Sequence, residues 1–407
     1  MNSFPLYIHV PFCLSKCAYC DFFSVVSKSY VPEKYVEALI KDAREKVQLY
    51  QIESWSSIYI GGGTPSLLSE AQIKLLFTAI LELCPLNKNA EITFEANPDD
   101  ITPELLSSLK SLGVNRLSIG IQSFNDKVLS TIGRRANEDQ NRAALKCIQK
   151  NWLQKNISSE SLHSPSFRFS ADLIAGLPYQ SDTDFLRGLR ELINYNPDHI
   201  SLYSLMLEEG TPLTKAVVCK KVPYDVDKAD EQWLLGRDEL IKAGYLQYEV
   251  SNFCKPHCES QHNMAYWQLE NYIGIGAGGS GTVENKKTGE AYRWTGVRDI
   301  EKYCACRKAD KETISKSQRR IEFLMMGFRT ARGVNALEYK KRFGSSLDDD
   351  IGTVFSRWQK RNLAQKHFLN ITKGIEIDNK KQKNATEFWA LTSDGLSWLN
   401  QFLQEII

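Results

Sequence analysis

The chain has 407 residues, 42% hydrophobic and 25% charged, with 51 Lys and Arg against 49 Asp and Glu for a net charge of +2. That length suits two domains or one large domain with an appendage, and the composition excludes intrinsic disorder and fibrous repeats. Near-neutrality argues against a dedicated polyanion binder, and no apolar run reaches the roughly 18 residues of a membrane span.

The start, Met1-Asn2-Ser3-Phe4-Pro5, lacks the basic flank and apolar core of a signal peptide, so a cytoplasmic location is expected. The ten cysteines are then expected to be reduced. A first strand is predicted at Pro5–Val10, and three cysteines, Cys13, Cys17 and Cys20, follow it within eight residues. Val36, Leu39, Ile40, Ala43 and Val47 recur at helical spacing after Pro32. A second strand at Ser57–Ile60 runs into Gly61-Gly62-Gly63-Thr64-Pro65. Ser69 with Gln72 forms a capping box ahead of Ile73, Leu76, Phe77 and Ile80.

A third strand, Glu91–Glu95, leads into Ala96-Asn97-Pro98, and Thr102-Pro103 opens a helix that Gly113 stops. Arg116–Ile121, followed by Gln122-Ser123, Phe169–Ile174, which contains Asp172, and Ile200–Leu205 complete six predicted strands. The stretch 158–166, with five serines, reads as a surface loop. Loops and glycines dominate from about Leu207 to Val297, notably Gly274-Ile275-Gly276-Ala277-Gly278-Gly279. From Lys311 helices are predicted near Ile321–Phe328, Leu337–Arg342 and Ile351–Trp358, with a last one ending in Gln404 and a strand-like segment near Gly374–Ile377.

Six strands alternating with helices predict an α/β fold with a parallel sheet, either an open doubly wound sheet or an incomplete barrel. Function is then expected at the carboxyl ends of the strands, where the polar and glycine motifs fall. The expected division is residues 1–210 for the α/β unit, 211–305 for a loop-rich extension, and 306–407 for a small, mainly helical domain.

Cys13, Cys17 and Cys20 form C-x3-C-x2-C on a loop short enough for three thiolates to converge on one point. Thiolates suit zinc or an iron–sulfur cluster, while three buried reduced cysteines are the plain alternative. A structural zinc site wants four ligands. A [4Fe-4S] cluster on three cysteines leaves one iron open, which can chelate S-adenosylmethionine and reduce its sulfonium to release a carbon radical.

With Tyr19 before the third cysteine and the glycine run one βα unit later, these residues resemble the radical-SAM superfamily. Tyr7-Ile8-His9-Val10-Pro11-Phe12-Cys13, Gly61–Ser66, Glu95–Pro98, Arg116–Phe124 and Asp172–Pro178 further resemble the oxygen-independent coproporphyrinogen III oxidase family, and most closely its oxidase-like branch of heme chaperones. The resemblance covers nearly the whole chain and implies an incomplete (βα)6 radical-SAM barrel with a winged-helix-like C-terminal domain. Phe22 stands where the oxidases carry a further cysteine, and only twelve residues precede Cys13, where the oxidases have an extension.

The resemblance implies that Cys13, Cys17 and Cys20 ligate the cluster. Tyr7, Tyr19, Gly62, Gly63, Thr64 and Glu95 would line the S-adenosylmethionine site, and Gln122, Arg134 and Asp172 match positions that hold a second molecule in the oxidase. His262-Asn263-Met264-Ala265-Tyr266-Trp267 matches the chaperones' H-N-x-x-Y-W, an imidazole for heme iron beside aromatic faces for the macrocycle. A hydrogen-bonded core histidine is the structural alternative, and Cys254, His257 and Cys258 could instead supply a ligand or a second metal site. Ala277 and Ser280 occupy places where the chaperones usually carry cysteine and histidine.

The implied function is a heme chaperone that passes heme to an unknown acceptor protein, for which the membrane face is one place, with an electron donor, as a monomer or dimer. No catalytic residue is assigned. The enzymatic alternative is coproporphyrinogen III oxidation, converting two propionates to vinyls. Radical-SAM modification of nucleic acid is a third class. Lys360-Arg361, Lys366 and Lys380-Lys381 lend it basic character, but Asp348-Asp349-Asp350 interleaves, and a solvated surface explains these charges better.

Overall fold

Short runs of branched and aromatic residues become strands because their stiff side chains pack well on a pleated surface. The computed structural model describes residues 2–27, 30–153, 167–306, 309–370, 375–376 and 385–407. Six such runs form the parallel centre of one sheet: β1 (Ser3–Val10), β2 (Ser54–Gly62), β3 (Leu86–Ala96), β4 (Arg116–Gln122), β5 (Arg168–Ala175) and β6 (His199–Ser204), paired in chain order. All six coincide with predicted strands. The serine-rich stretch 158–166 and Lys380-Lys381 lie outside the described residues.

Helices Glu33–Tyr50, Glu70–Leu83, Pro103–Ser111, Glu138–Asn151 and Asp182–Asn194 return the chain between strands. Both halves of the Ser69–Gln72 capping box form, and Gly113 takes a left-handed φ of 87° just past the third helix. Each helix buries its apolar stripe against the sheet; Tyr35, Val36, Leu39 and Ala43 do so for the first. Fully burying a side chain of the Leu or Phe class contributes about 1.5–3 kcal/mol, so this shared core dominates the unit's stability.

The loop-rich stretch between 207 and 297 also builds the sheet. Ile273–Ile275 pairs in parallel with β1 at one edge, and antiparallel Asn252–Cys254 and Leu246–Gln247 extend the β6 edge. The nine-stranded order is linear, with no closing pair among the described residues, so the barrel is incomplete. These strands of two or three residues are too short to show an alternating pattern, so the sequence predicts loops there.

The C-terminal module has its own core of Phe328, Phe355, Trp358, Trp389 and Phe402. Helices Lys316–Phe328, Ala336–Phe343 and Leu347–Lys360 pack on a four-stranded antiparallel sheet containing Ala364–Asn370 and Ala385–Leu391. It therefore holds more strand than expected, because the charged and polar residues of Ala364–Asn370 hide its alternation. Arg329 docks the module, donating at 2.8 Å to the buried carboxylate of Glu249 beside Asn252–Cys254. Among the described residues no helix is long and apolar enough to cross a membrane.

Candidate functional site at the carboxyl rim of the sheet

The loop after β1 is stapled on both sides of its last cysteine. Val25 N–H donates to Pro11 O at 2.7 Å and Ser27 N–H to Cys13 O at 2.8 Å, pairing Phe12–Cys13 with Val25–Val26. Ala18 N–H donates to Ile132 O at 2.8 Å, and Tyr19 packs into the small cluster around Val128 and Ile132. Cys13, Cys17 and Cys20 are all free and partly buried.

Burial pushes the Cys13 and Cys20 thiols up; the hydroxyls of Thr64 and Ser24 oppose this at Cys13, as the Phe22 N–H does at Cys20. Arg134 Nη1 donates to Cys17 Sγ at 3.6 Å. Among the described residues no three His, Cys, Asp or Glu side chains form a single-ion site. A four-iron cluster needs no such group, since each cysteine binds a different iron, whereas zinc needs its ligands on one point. Cys84, the next cysteine along the chain, is buried at the far end of helix Glu70–Leu83.

Gly61, Gly62 and Gly63 form the edge beside this loop. A Cβ on Gly63 would sit 2.7 Å from Phe12 O, and one on Gly62, at φ 116°, would sit 2.4 Å from His9 Nδ1. Only glycine lets β2 lie this close to β1. Glu95, at the end of β3, accepts from the Tyr59 hydroxyl at 2.6 Å and from Gly62 N–H at 3.1 Å. Burial pushes its carboxyl up, and those two bonds pull it back. Thr64 is buried and accepts a long bond from Asn97 Nδ2 at 3.4 Å. The Tyr7 hydroxyl lies 2.8 Å from His9 Nδ1, and His9 Nε2 lies 3.0 Å from Phe23 O, tying β1 to the cysteine loop.

Across the rim, the pairing of β4 with β5 slips between Gly120 and Gln122, and Gln122 takes a φ of 65°. Such bulges recur beside sites because they re-aim a side chain. Gln122 Oε1 and Arg134 Nε are buried without partners. Arg134 Nη2 donates to Gly120 O, which lies opposite Asp172 in register. Burial raises the Asp172 carboxyl, while Ser201, Arg116 and Arg134 pull it down. An unsatisfied acceptor, an unsatisfied donor and a glycine edge open to close approach together fit a polar ligand with both donors and acceptors, as S-adenosylmethionine is.

The helix Gln261–Trp267 treats its motif residues differently. His262 is 1% exposed, with Nδ1 2.8 Å from the Ser57 hydroxyl and Nε2 2.7 Å from the Tyr266 hydroxyl. Burial drives its pKa down to about 3, so the ring is neutral with both nitrogens engaged. An imidazole free for iron is not what this geometry offers: both ring nitrogens are engaged, and the ring lines neither of the two cavities that flank its helix. Asn263 occupies the first turn, its N–H donating to Ser260 Oγ. Tyr266 and Trp267, by contrast, line a cavity of about 480 Å³ that also reaches Tyr7, Phe22 and Phe23.

Ala277 is fully buried, with its N–H donating to the Tyr35 hydroxyl, while Ser280 reaches the cavity. Cys254 pairs in register with His199, the first residue of β6, and so lies at the end of the sheet opposite the rim. Sequence reasoning missed Tyr59, His9 and Arg116, all inside the barrel. Their signal was there: Ser57-x-Tyr59, Glu91-x-Thr93-x-Glu95, Arg116-x-Ser118 and Ser170-x-Asp172 alternate polar residues at the inward positions.

Residues 7–192 match the model of the Radical SAM superfamily. The chain is 33% identical over 402 residues to "Heme chaperone HemW" of Buchnera aphidicola subsp. Schizaphis graminum, covering 98% of this chain and 97% of the relative. The protein of that name in Escherichia coli K12 matches at the same identity and coverage. Among solved structures, coproporphyrinogen III oxidase (HemN) from Escherichia coli superposes with a TM-score of 0.74 over 99% of this chain and 90% of that one, at 18% identity, a likeness of fold.

Proposed function

The chain belongs to the family of the heme chaperone HemW within the radical SAM superfamily, and from that premise we propose that it binds heme and delivers it to an acceptor protein. The observation that carries this reading is full-length similarity to heme chaperones in a chain whose cysteine loop continues, at Phe22, into an aromatic cavity. In this reading Cys13, Cys17 and Cys20 hold a [4Fe-4S] cluster, with the Thr64 hydroxyl and the Arg134 guanidinium beside two of the sulfurs. The glycine edge gives S-adenosylmethionine close backbone approach, and the Glu95 carboxylate accepts from its hydroxyls.

Tyr7 and Tyr19 complete that pocket, while Gln122, Arg134 and Asp172 offer an acceptor, a donor and a carboxylate for a second molecule. Bound together, cluster and S-adenosylmethionine supply one-electron chemistry; the roles of these residues are to bind, orient and keep out water. Phe22 puts a ring where a thiol would serve the oxidase reaction. Heme, an electron donor and a heme-accepting protein are the proposed partners, in the cytoplasm, with no role for nucleic acid.

The test uses protein reconstituted anaerobically with iron and sulfide, and supplied with S-adenosylmethionine, a low-potential reductant and coproporphyrinogen III, beside a heme titration at the Soret band. Heme binding near one equivalent without decarboxylation supports the chaperone. Sustained protoporphyrinogen formation overturns it in favour of the oxidase.

A further inference from the structure

The cavity beside the cysteine loop has four walls: Asp21–Phe23, the helix end at Tyr266 and Trp267, the strands Ser280–Glu284 and Ala291–Thr295 with Arg298 just after them, and the helix Lys316–Phe328 of the C-terminal module. Its volume of about 480 Å³ falls within the range of small-molecule sites. Phe22, Phe23, Tyr266, Trp267 and Tyr272 give it aromatic faces, and Phe22 is 65% exposed at its lip. One face of Trp267 is already covered by the Arg329 guanidinium, 4.6 Å away.

The charges around this cavity are not equivalent. Arg293 pairs with Glu322 at 2.7 Å and Glu312 at 3.8 Å; Arg319 pairs with Glu322 at 3.0 Å and Glu284 at 3.3 Å. Arg298 lines the same cavity, is exposed, and forms no ion pair among the described residues. The wall also holds two buried donors without acceptors, Trp267 Nε1 and Arg319 Nε. Asp21 and Glu270 line it too; burial pushes the Glu270 carboxyl up and the Arg342 guanidinium pulls it back. The two vacant donors call for acceptors, Arg298 offers a guanidinium fork to a carboxylate, and the aromatic walls call for a flat ligand.

We propose that this cavity, rather than the His262 ring, is where heme docks, with Arg298 taking a propionate and Trp267 and Tyr266 flanking the macrocycle. The proposal rests on the heme-chaperone reading. It makes heme contact Phe22 and Phe23, the direct continuation of Cys20, so heme occupancy and the cysteine loop share one wall. Guanidinium recognition of carboxylate is specific to the free acid, which gives the proposal a chemical handle.

The experiment titrates the reconstituted full chain with heme and with heme dimethyl ester, whose propionates are esterified, in wild type, Arg298→Ala and Arg298→Lys. Cluster absorption in each variant reports an intact loop. The expected result is heme binding weakened about tenfold in Arg298→Ala and partly restored in Arg298→Lys, with the ester bound equally by all three. Equal heme affinity in Arg298→Ala and wild type overturns the Arg298 site and leaves the chaperone reading standing. Wild type that binds neither compound overturns both.

Discussion

At the lower end of the barrel, the buried carboxylate of Glu91 accepts from Arg168 at 3.2 Å, from Ser260 at 3.2 Å and from His262 N–H at 3.3 Å. Close by, His199 lies 2.7 Å from the Ser170 hydroxyl and 2.8 Å from that of Tyr248, and His262 is likewise engaged at both nitrogens. At the rim, one strand length away, Gln122 Oε1 and Arg134 Nε have no partner. Glu91, Ser170 and His199 of the one layer and Gln122 of the other lie on strands of the same sheet, while Arg134 reaches the rim from the loop after the helix Asp126–Thr131. Buried polar groups are normally satisfied, so the complete layer is scaffold and the incomplete one awaits a ligand. A polar residue inside this barrel is thus no evidence of a site until its hydrogen bonds are counted.

Two substitutions separate the layers most sharply. Cys17→Ser removes a thiolate from the rim and is expected to abolish the visible charge-transfer absorption and most of the bound iron after reconstitution, with little change in thermal stability. An unchanged spectrum would sink the cluster assignment. Glu91→Ala is expected to do the reverse, destabilising the chain by about 3–5 kcal/mol because Arg168 is left without its buried partner. Denaturant unfolding checks it. A loss of cofactor binding at unchanged stability would mean that the lower layer is a site after all.

The buried histidines give the lower layer a pH signature. Burial holds His262 near a pKa of about 3 and His199 well below its ordinary value, whereas both titrate near 6.5 in the unfolded chain. Below about pH 6.5 the unfolded state therefore takes up protons that the folded state refuses. Stability is full above that pH and falls as pH drops, by about 1.4 kcal/mol per pH unit for each histidine. His262→Gln should keep the hydrogen bonds and flatten this slope by about one proton's worth, read from unfolding midpoints between pH 7 and 5. A slope unaltered by the substitution would show that the ring titrates normally and is not locked in place.

The contrast between layers also explains what sequence could reveal. All six parallel strands were legible, because each is a β-branched run bounded by glycine, proline or asparagine, and so were the motifs at their carboxyl ends. The H-N-x-x-Y-W segment was legible as a motif but not as a geometry. Nothing in the order of residues says that the His262 ring turns inward to Ser57, 205 positions away in the chain, while Trp267 turns outward. Arg298 was invisible for the same reason: an isolated arginine becomes distinctive only when its neighbours Arg293 and Arg319 are seen to be neutralised. The short edge strands escaped because their pairing is set by tertiary contacts rather than by local pattern.

The smallest expected effect is the most demanding test of the comparison. Gln122 sits at φ 65°, a region where a non-glycine side chain costs about 1 kcal/mol or more, and its Oε1 is buried without a donor. Gln122→Gly removes the strained side chain and the orphaned acceptor, against the added backbone entropy of glycine in the unfolded chain. These terms nearly offset, so stability should change by less than about 1 kcal/mol in either direction. S-adenosylmethionine binding, followed by calorimetry on the reconstituted protein, should nevertheless weaken if the acceptor is held vacant for a ligand. Had Gln122 been part of the scaffold, the same change would behave like Glu91→Ala, with a loss of several kcal/mol. A strained, unsatisfied residue that can be deleted without destabilising the fold is maintained for binding, and the unfolding curve and the titration together decide it.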